Sequence, residues 1–438
     1  MIKQLAAICV MGAAQEVVWI TSYAIGSFRD HSGAFLALVF TAFGLCLWSF
    51  FRLPVTGTRA ALAIVGFGLL FRLTVLPATP YQSEDVYRYL WDARVSSMGY
   101  DPYRYPPEAP ELERVRDHVL YPKLNSKSYV SAYPPLSQIL FRLSYELFGD
   151  RVTAMKAVFS LLEFLSLLIA WKLLRLWGAS LAPLYLMAWN PFFIFEFSHS
   201  GHSDSGMILL LMLSLYLFEQ SKGFWAWLSY VGAFLAKLHP VLWLPLYLRR
   251  AGWRPAILGA VAAALAWFAF FTPSSTVYYF RSLGLYFRLF EFNSSIHYLL
   301  RRLGHLLAGQ SWDQQTGPYL AGAVLVLCVA IGWRFPVRNS RDLLHAGFWI
   351  MTADLCLATT VHPWYLSWAA FAVPMIPYAF MVYWTGACFL SYLAYGYRPV
   401  YEPAWVLLIE YLPVYALMIF EICRGRPLLE SWIERRST

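Results

Sequence analysis

The run Ser83-Glu84-Asp85-Val86-Tyr87-Arg88-Tyr89-Leu90-Trp91-Asp92 gathers three carboxylates and a guanidinium. If it is helical, Asp85, Arg88 and Asp92 stand at i, i+3 and i+7, on one face. A carboxylate on that face could take a proton from an attacking hydroxyl. Arg88 could keep that acid ionised, or grip a phosphate through two parallel hydrogen bonds. Trp91 and Asp92 could add a stacking ring and a hydrogen-bond acceptor for a substrate. The bland alternative is a surface helix laced with ion pairs.

Three more clusters sit between apolar runs. His199-Ser-Gly-His202-Ser-Asp204 could hold a metal, a phosphate or sugar oxygens, and its alternative is a plain polar turn. Lys237-Leu-His239-Pro240 suits an anionic headgroup, or is an ordinary lysine reaching for the interface. His362-Pro363-Trp364-Tyr365 starts a helix on its proline. Its rings are also normal membrane-interface residues.

The elements that carry these clusters follow from composition. Of 438 residues, 59% are hydrophobic and 13% charged, and the charged share is about half that of a soluble domain. A soluble globular enzyme, a disordered chain and a secreted disulfide scaffold are therefore excluded. Six cysteines without C-x-x-C spacing read as small buried hydrophobes. Apolar runs fall at about 5–26, 34–51, 60–77, 152–174, 180–197, 204–219, 255–272, 317–334, 342–360, 379–396 and 403–422. Segment 223–248 is interrupted at Lys237–Pro240, and 363–377 is short. The expectation is an all-α polytopic membrane protein of about 13 transmembrane helices. Its first helix reads as retained, not as a cleaved signal.

The net charge of +9 reports orientation. Arg52/Arg59, Lys172/Arg175, Arg249/Arg250/Arg254, Arg334/Arg338/Arg341 and Arg424/Arg426/Arg435/Arg436 read as cytoplasmic. No basic stripe marks a nucleic-acid surface, so the expected partners are membrane lipid and small substrates. This sidedness puts 78–132 and 273–316 outside. The chain then divides into N-terminal helices 1–77, an external catalytic loop with amphipathic helices at 78–151, and a bundle at 152–438 that includes the second external loop. For 134–149 to leave Lys172/Arg175 inside, it must lie at the interface or insert only halfway. Loop 78–132 holds eight acids (Glu84, Asp85, Asp92, Asp101, Glu108, Glu111, Glu113, Asp117) and many tyrosines. Carboxylates and rings together suit a polyhydroxylated substrate. The intramembrane charges Glu16, Arg72, Lys156, Glu163, Asp354, Glu410 and Glu421 do not line up as the relay a proton-coupled transporter would use.

Four stretches carry a family resemblance: SEDVYRYLWDARVSSMGYDPYRYPP (83–107), SAYPPLSQILF (131–141), WNPFFIFEFSHSGHSD (189–204) and HPWYLSW (362–368). Their order resembles bacterial polyprenyl-phosphate-sugar-dependent glycosyltransferases of the GT-C superfamily, the mannosyltransferase-like members above all. The resemblance implies a GT-C-like bundle in the plasma (inner) membrane with its active site on the extracytoplasmic face. It makes Asp85 the catalytic carboxylate, acting as general base, with Glu84 adjacent, and matches Asp204 to the second acidic position. A hexose such as mannose would pass from a polyprenyl-phosphate donor to a glycan or lipid acceptor, with inversion. Arg88, Lys237 or His239 would stabilise the leaving phosphate. Trp91, Asp92, His199, His202, Asp204, His362, Trp364 and Tyr365 would contact substrate. A divalent cation, Mg or Mn, on Asp85, His202 and Asp204 stays open. Competing readings are a glycolipid flippase and a ligase of a preassembled lipid-linked glycan.

Overall fold

The computed structural model describes residues 2–309 and 312–437. The chain is 75% helical, and among the described residues a single parallel bridge, Phe292 to Thr360, stands in for sheet. Among the described residues six helices are long and apolar enough to cross a membrane: Ile2–Ile25, Ser32–Arg52, Gly57–Val75, Val152–Leu176, Thr316–Arg334 and Ala404–Arg424. Trp253–Ala269 and Pro273–Gly284, bent by 101°, make a seventh if counted as one span. This is an all-α polytopic membrane protein.

The remaining apolar segments of the sequence form shorter pieces, and the breaks have local causes. Segment 180–197 is interrupted at Asn190-Pro191, where Asn190 Oδ1 caps the N–H of Phe192 at 3.0 Å and the proline ring removes a donor. A π-turn, Ile194–His199, follows. Segment 223–248 breaks as its sequence suggests. Helix Gly223–Ala236 ends on an extended Lys237, and a 3-10 turn, His239–Trp243, precedes Leu244–Ala251.

The chain folds into two compact units. One comprises Met1–Gln82, Glu163–Ser200 and Val361–Thr438. Here helix Ile2–Ile25 inverts the soluble pattern: Gln15 and Ser22 face inward while Val10, Val17 and Ile20 face out. Lipid is as apolar as a core, so close packing and hydrogen bonds hold such helices together. A Cβ at Gly12 would stand 2.5 Å from the Phe67 ring, and one at Gly68 would stand 2.9 Å from the Ala188 carbonyl. Gln15 Nε2 donates to the Trp189 carbonyl at 2.6 Å. The buried charges are structural. Arg72 grips Glu163 through two bonds of 2.5 and 2.7 Å. Glu410 accepts from Trp384 Nε1 at 2.8 Å, and Glu421 accepts the backbone N–H groups of Ala379, Phe380 and Leu428.

The other unit comprises Ser83–Leu162 and Gly201–Thr360. Its first segment folds around helix Asp85–Ser97 and two 3-10 turns, Pro110–Val115 and Tyr121–Lys123. Arg94 pins the fold by pairing with Asp117 at 2.5 Å and Asp150 at 2.7 Å. Tyr103 stacks on Phe271 at 3.9 Å, and Asp101 accepts the hydroxyl of Ser275. Helix Pro135–Phe148 turns Ser137, Gln138 and Ser144 inward and Ile139, Leu143, Leu147 and Phe148 outward. A polar inner face under an apolar outer face suits a helix lying against lipid.

Candidate active site

Elimination narrows the acids of the 78–132 segment. Asp92, Asp101 and Asp117 are engaged in holding the segment together. Glu108, Glu111 and Glu113 are exposed on its outside. Glu84 and Asp85 remain, half-buried at the start of helix Asp85–Ser97. Asp85 is the first residue of that helix, so its carboxylate lies where the unpaired N–H groups and the helix dipole favour negative charge. Asn125 Nδ2 donates to Asp85 Oδ1 at 3.1 Å. That bond fixes the carboxylate and leaves Oδ2 with no hydrogen bond among the described residues.

One turn further along, Tyr89 is fully buried. Its ring stacks on Phe141 at 4.4 Å and meets Tyr133 and Phe159 edge-on. Its hydroxyl accepts the backbone N–H of Ser203 at 3.4 Å, which ties the Asp85 helix to the Gly201–Asp204 turn. Burial, then the charge of Asp85 and more weakly that of Asp204, push the phenol well above its ordinary range, against the lowering hydrogen bond of Ser203. Tyr89 therefore keeps its proton within the field of both acids.

The turn itself is tightly built. Gly201 has φ +80°, and a Cβ there would meet Lys156 Cγ at 2.7 Å; only glycine fits. Asp204 is buried at the start of helix Asp204–Glu219 and pairs with Lys237 Nζ at 2.7 Å. The extended backbone of Lys237 at the break after Ala236 lets its side chain reach that acid. His239 lies in the electrostatic range of both. His202 is buried next in the chain, and the buried hydroxyl of Ser205 finds no hydrogen-bond partner among the described residues. An unsatisfied buried hydroxyl at such a turn is a mark of a site built to meet something polar.

Several expectations are corrected by these contacts. Arg88 was expected at a phosphate, but its three nitrogens go to Asp92 at 2.8 Å and to the carbonyls of Ser126 and Tyr129. It clamps the 125–130 loop that carries Asn125. Asp92 was expected at substrate, but its oxygens take Arg88 and Gln138. Trp91 is buried in the segment's own core, tilted against Tyr121 at 5.5 Å. Among the described residues no three His, Cys, Asp or Glu side chains form a metal-ligand group. Asp85, His202 and Asp204 are thus not assembled as one, and Asp204 faces a lysine.

Asn125 does not stand out in the sequence as a site residue. Tyr89 could have been found from its i,i+4 spacing to Asp85.

In the other unit, His199 closes the π-turn and stacks on Phe195 at 4.3 Å and on Phe28 at 5.2 Å. His362 precedes the 3-10 turn Pro363–Leu366 and lies flat on Trp364 at 4.4 Å. Tyr365 stacks on Trp368 at 4.4 Å.

The fold defines a class: multi-pass helical membrane proteins, here with a polar, acid-bearing segment between the spans. The model of one family, MptA_B, the N-terminal domain of alpha-(1->6)-mannopyranosyltransferases, matches residues 4–251. That is more than half of the chain, and it contains Asp85, Asp204 and Lys237. The chain belongs to this family and is a mannosyltransferase, hence a glycosyltransferase. Neither the curated proteins nor the solved structures give a match.

Proposed function

We propose that this mannosyltransferase takes mannose from a polyprenyl-phosphate donor and delivers it to a glycan or lipid acceptor on the extracytoplasmic face of the plasma (inner) membrane. The catalytic segment is 78–151, between the N-terminal helices 1–77 and the bundle 152–438. Asp85 acts as general base. The acceptor hydroxyl oxygen attacks C1 of the sugar while its proton passes to Asp85. The C1–O bond to phosphate breaks, and its electron pair leaves with the phosphate. The transition state has oxocarbenium character. Attack opposite the leaving group inverts C1, so an α product of the kind in the family's name requires a β-linked donor.

The observation that carries this reading is the setting of Asp85. It is half-buried at a helix start, held through one oxygen by Asn125, with the other oxygen available for a proton. Lys237 supplies positive charge for the departing phosphate, and its bond to Asp204 holds the ammonium in place. Glu84 is the neighbouring acid, and His202 and His239 complete the polar surround. The polyprenyl tail dissolves in the bilayer, which concentrates the donor where a membrane enzyme meets it.

The test is a transfer assay with purified protein in nanodiscs, polyprenyl-phosphate mannose and short mannosides. The expected result is equal amounts of polyprenyl phosphate and of an α-(1→6)-linked product. Transfer from a nucleotide sugar but not from the lipid donor would overturn the donor assignment.

A further inference from the structure

Three stretches far apart in the chain, 218–222, 249–254 and 332–342, meet at one end of the unit formed by Ser83–Leu162 and Gly201–Thr360. Named contacts join them. Arg249 donates to the carbonyls of Gly332, Trp333 and Phe335, at the C-terminal end of the span Thr316–Arg334. The Arg250 guanidinium lies 5.6 Å from the centre of the Phe218 ring, and the Ser340 hydroxyl donates to Glu219. A Cβ at Gly332 would stand 2.9 Å from Pro245 Cβ, so helix Leu244–Ala251 packs closely on the end of the span.

The three stretches carry seven cations and two carboxylates. Both carboxylates are engaged inside the protein, Glu219 by Ser340 and Asp342 by the backbone N–H of Arg338 at 3.1 Å. Arg249 is used on the carbonyls. Lys222, Arg250, Arg254, Arg334 and Arg338 are exposed. Next to two of them in the chain stand Trp253 and Trp333, 65% and 80% exposed. The Arg254 guanidinium lies 5.5 Å from the centre of the Trp253 ring. Like charges gathered this way repel, so the balancing charge has to come from outside the chain.

The mixture selects its partner. A span ends at the membrane surface, which sets Arg334 and its neighbours level with lipid headgroups. Guanidinium groups grip phosphate oxygens through paired hydrogen bonds. Exposed indoles sit well between headgroup and acyl chain, and a free ion would gain nothing from them. A zwitterionic headgroup brings its own cation into a field that is already positive; an anionic one does not.

We propose that this surface binds an anionic phospholipid, with Arg250, Arg254 and Arg334 on its phosphodiester and Trp253 and Trp333 against its glycerol and upper acyl chains. The inference does not depend on which donor or acceptor the enzyme uses.

The probes are phosphatidylglycerol and phosphatidylcholine with the same acyl chains, offered to the full-length protein. Native mass spectrometry reads the lipid retained as detergent is removed. The wild type should retain phosphatidylglycerol about fivefold over phosphatidylcholine. The triple variant Arg250→Gln, Arg254→Gln, Arg334→Gln should bind phosphatidylglycerol about tenfold more weakly and phosphatidylcholine as before. The triple variant Arg250→Lys, Arg254→Lys, Arg334→Lys, which keeps the charge, should keep most of the preference. Unfolding temperatures in phosphatidylcholine nanodiscs should agree among the three proteins; if the glutamine triple does not fold, the single variant Arg254→Gln carries the same test with a smaller loss. Equal retention of the two lipids by the wild type, or undiminished phosphatidylglycerol on the glutamine variants, would overturn the proposal. Displacement of the lipid by millimolar inorganic phosphate would overturn it too, marking a site for the bare anion.

Discussion

The first turn of helix Asp85–Ser97 and the turns behind it carry the same residue types with opposite fates. Asp85 keeps one oxygen open at a half-buried helix start. Asp92 lies two turns on, 1% exposed, with both oxygens bonded inside the protein. Arg88 and Trp91 follow Asp92 inward. A shared helical face is therefore not a shared role: depth along the helix decides which acid meets substrate and which one builds the support. The inner turns hold the 125–130 loop through Arg88, and that loop returns Asn125 to the outer acid.

The largest effect should fall on the outer turn. Asp85→Asn keeps shape and the helix start but cannot accept the proton, so transfer should drop roughly 10²–10⁴-fold with thermal unfolding unchanged. Polyprenyl-phosphate release is the measurement, and a near-normal rate would remove the proposed base. Glu84→Gln should change the same rate only a few-fold; a loss as deep as that of Asp85→Asn would move the base by one residue.

The inner turns should answer in stability. Asp92→Ala strands the Arg88 guanidinium in a buried site, which costs about 3–5 kcal/mol. A lowered unfolding temperature with an ordinary donor KM in the surviving protein would support this division. A raised donor KM in stable protein would return Arg88 and Asp92 to the substrate. Gly201→Ala combines a positive φ with the close approach of Lys156 and should cost about 1–3 kcal/mol. Since the turn presents Asp204, activity should fall with it.

The smallest effect concerns pH. Asp117 loses some solvent on folding, which opposes its charge, yet the N–H of Leu120, the Arg94 guanidinium and the N–H groups of Val119 and Tyr121 bring its carboxyl down from 3.8 to about 2. A folded-state value below the unfolded one stabilises the fold once the acid is ionised in both states. The contribution is complete above about pH 4 and fades as the pH falls toward 2. Unfolding followed against pH should show Asp117→Asn losing the acid-side slope and starting slightly less stable at neutral pH.

Much of this was legible in the residues. The apolar runs gave the class, Lys237–Pro240 gave a helix break in its right place, and the 83–92 run gave a short helix with Asp85, Arg88 and Asp92 on one face. The sequence did not separate continuous spans from broken ones, because a short 3-10 or π piece and a full helix share the same apolar composition. Nor did it rank the acids of the 78–132 segment. That ranking came from partners far along the chain, such as Ser275 for Asp101 and Asp150 beside Asp117 on Arg94.

Apolar content and helix-start chemistry are local properties, so the amino-acid order alone determined a helical membrane protein with reactive groups at helix ends. Which of those groups stay available is a question of who lies opposite, over separations of tens to hundreds of residues. Only the folded chain could bring Asn125 to Asp85, Ser203 to Tyr89 and Lys237 to Asp204, because burial and hydrogen bonding are set by neighbours in space.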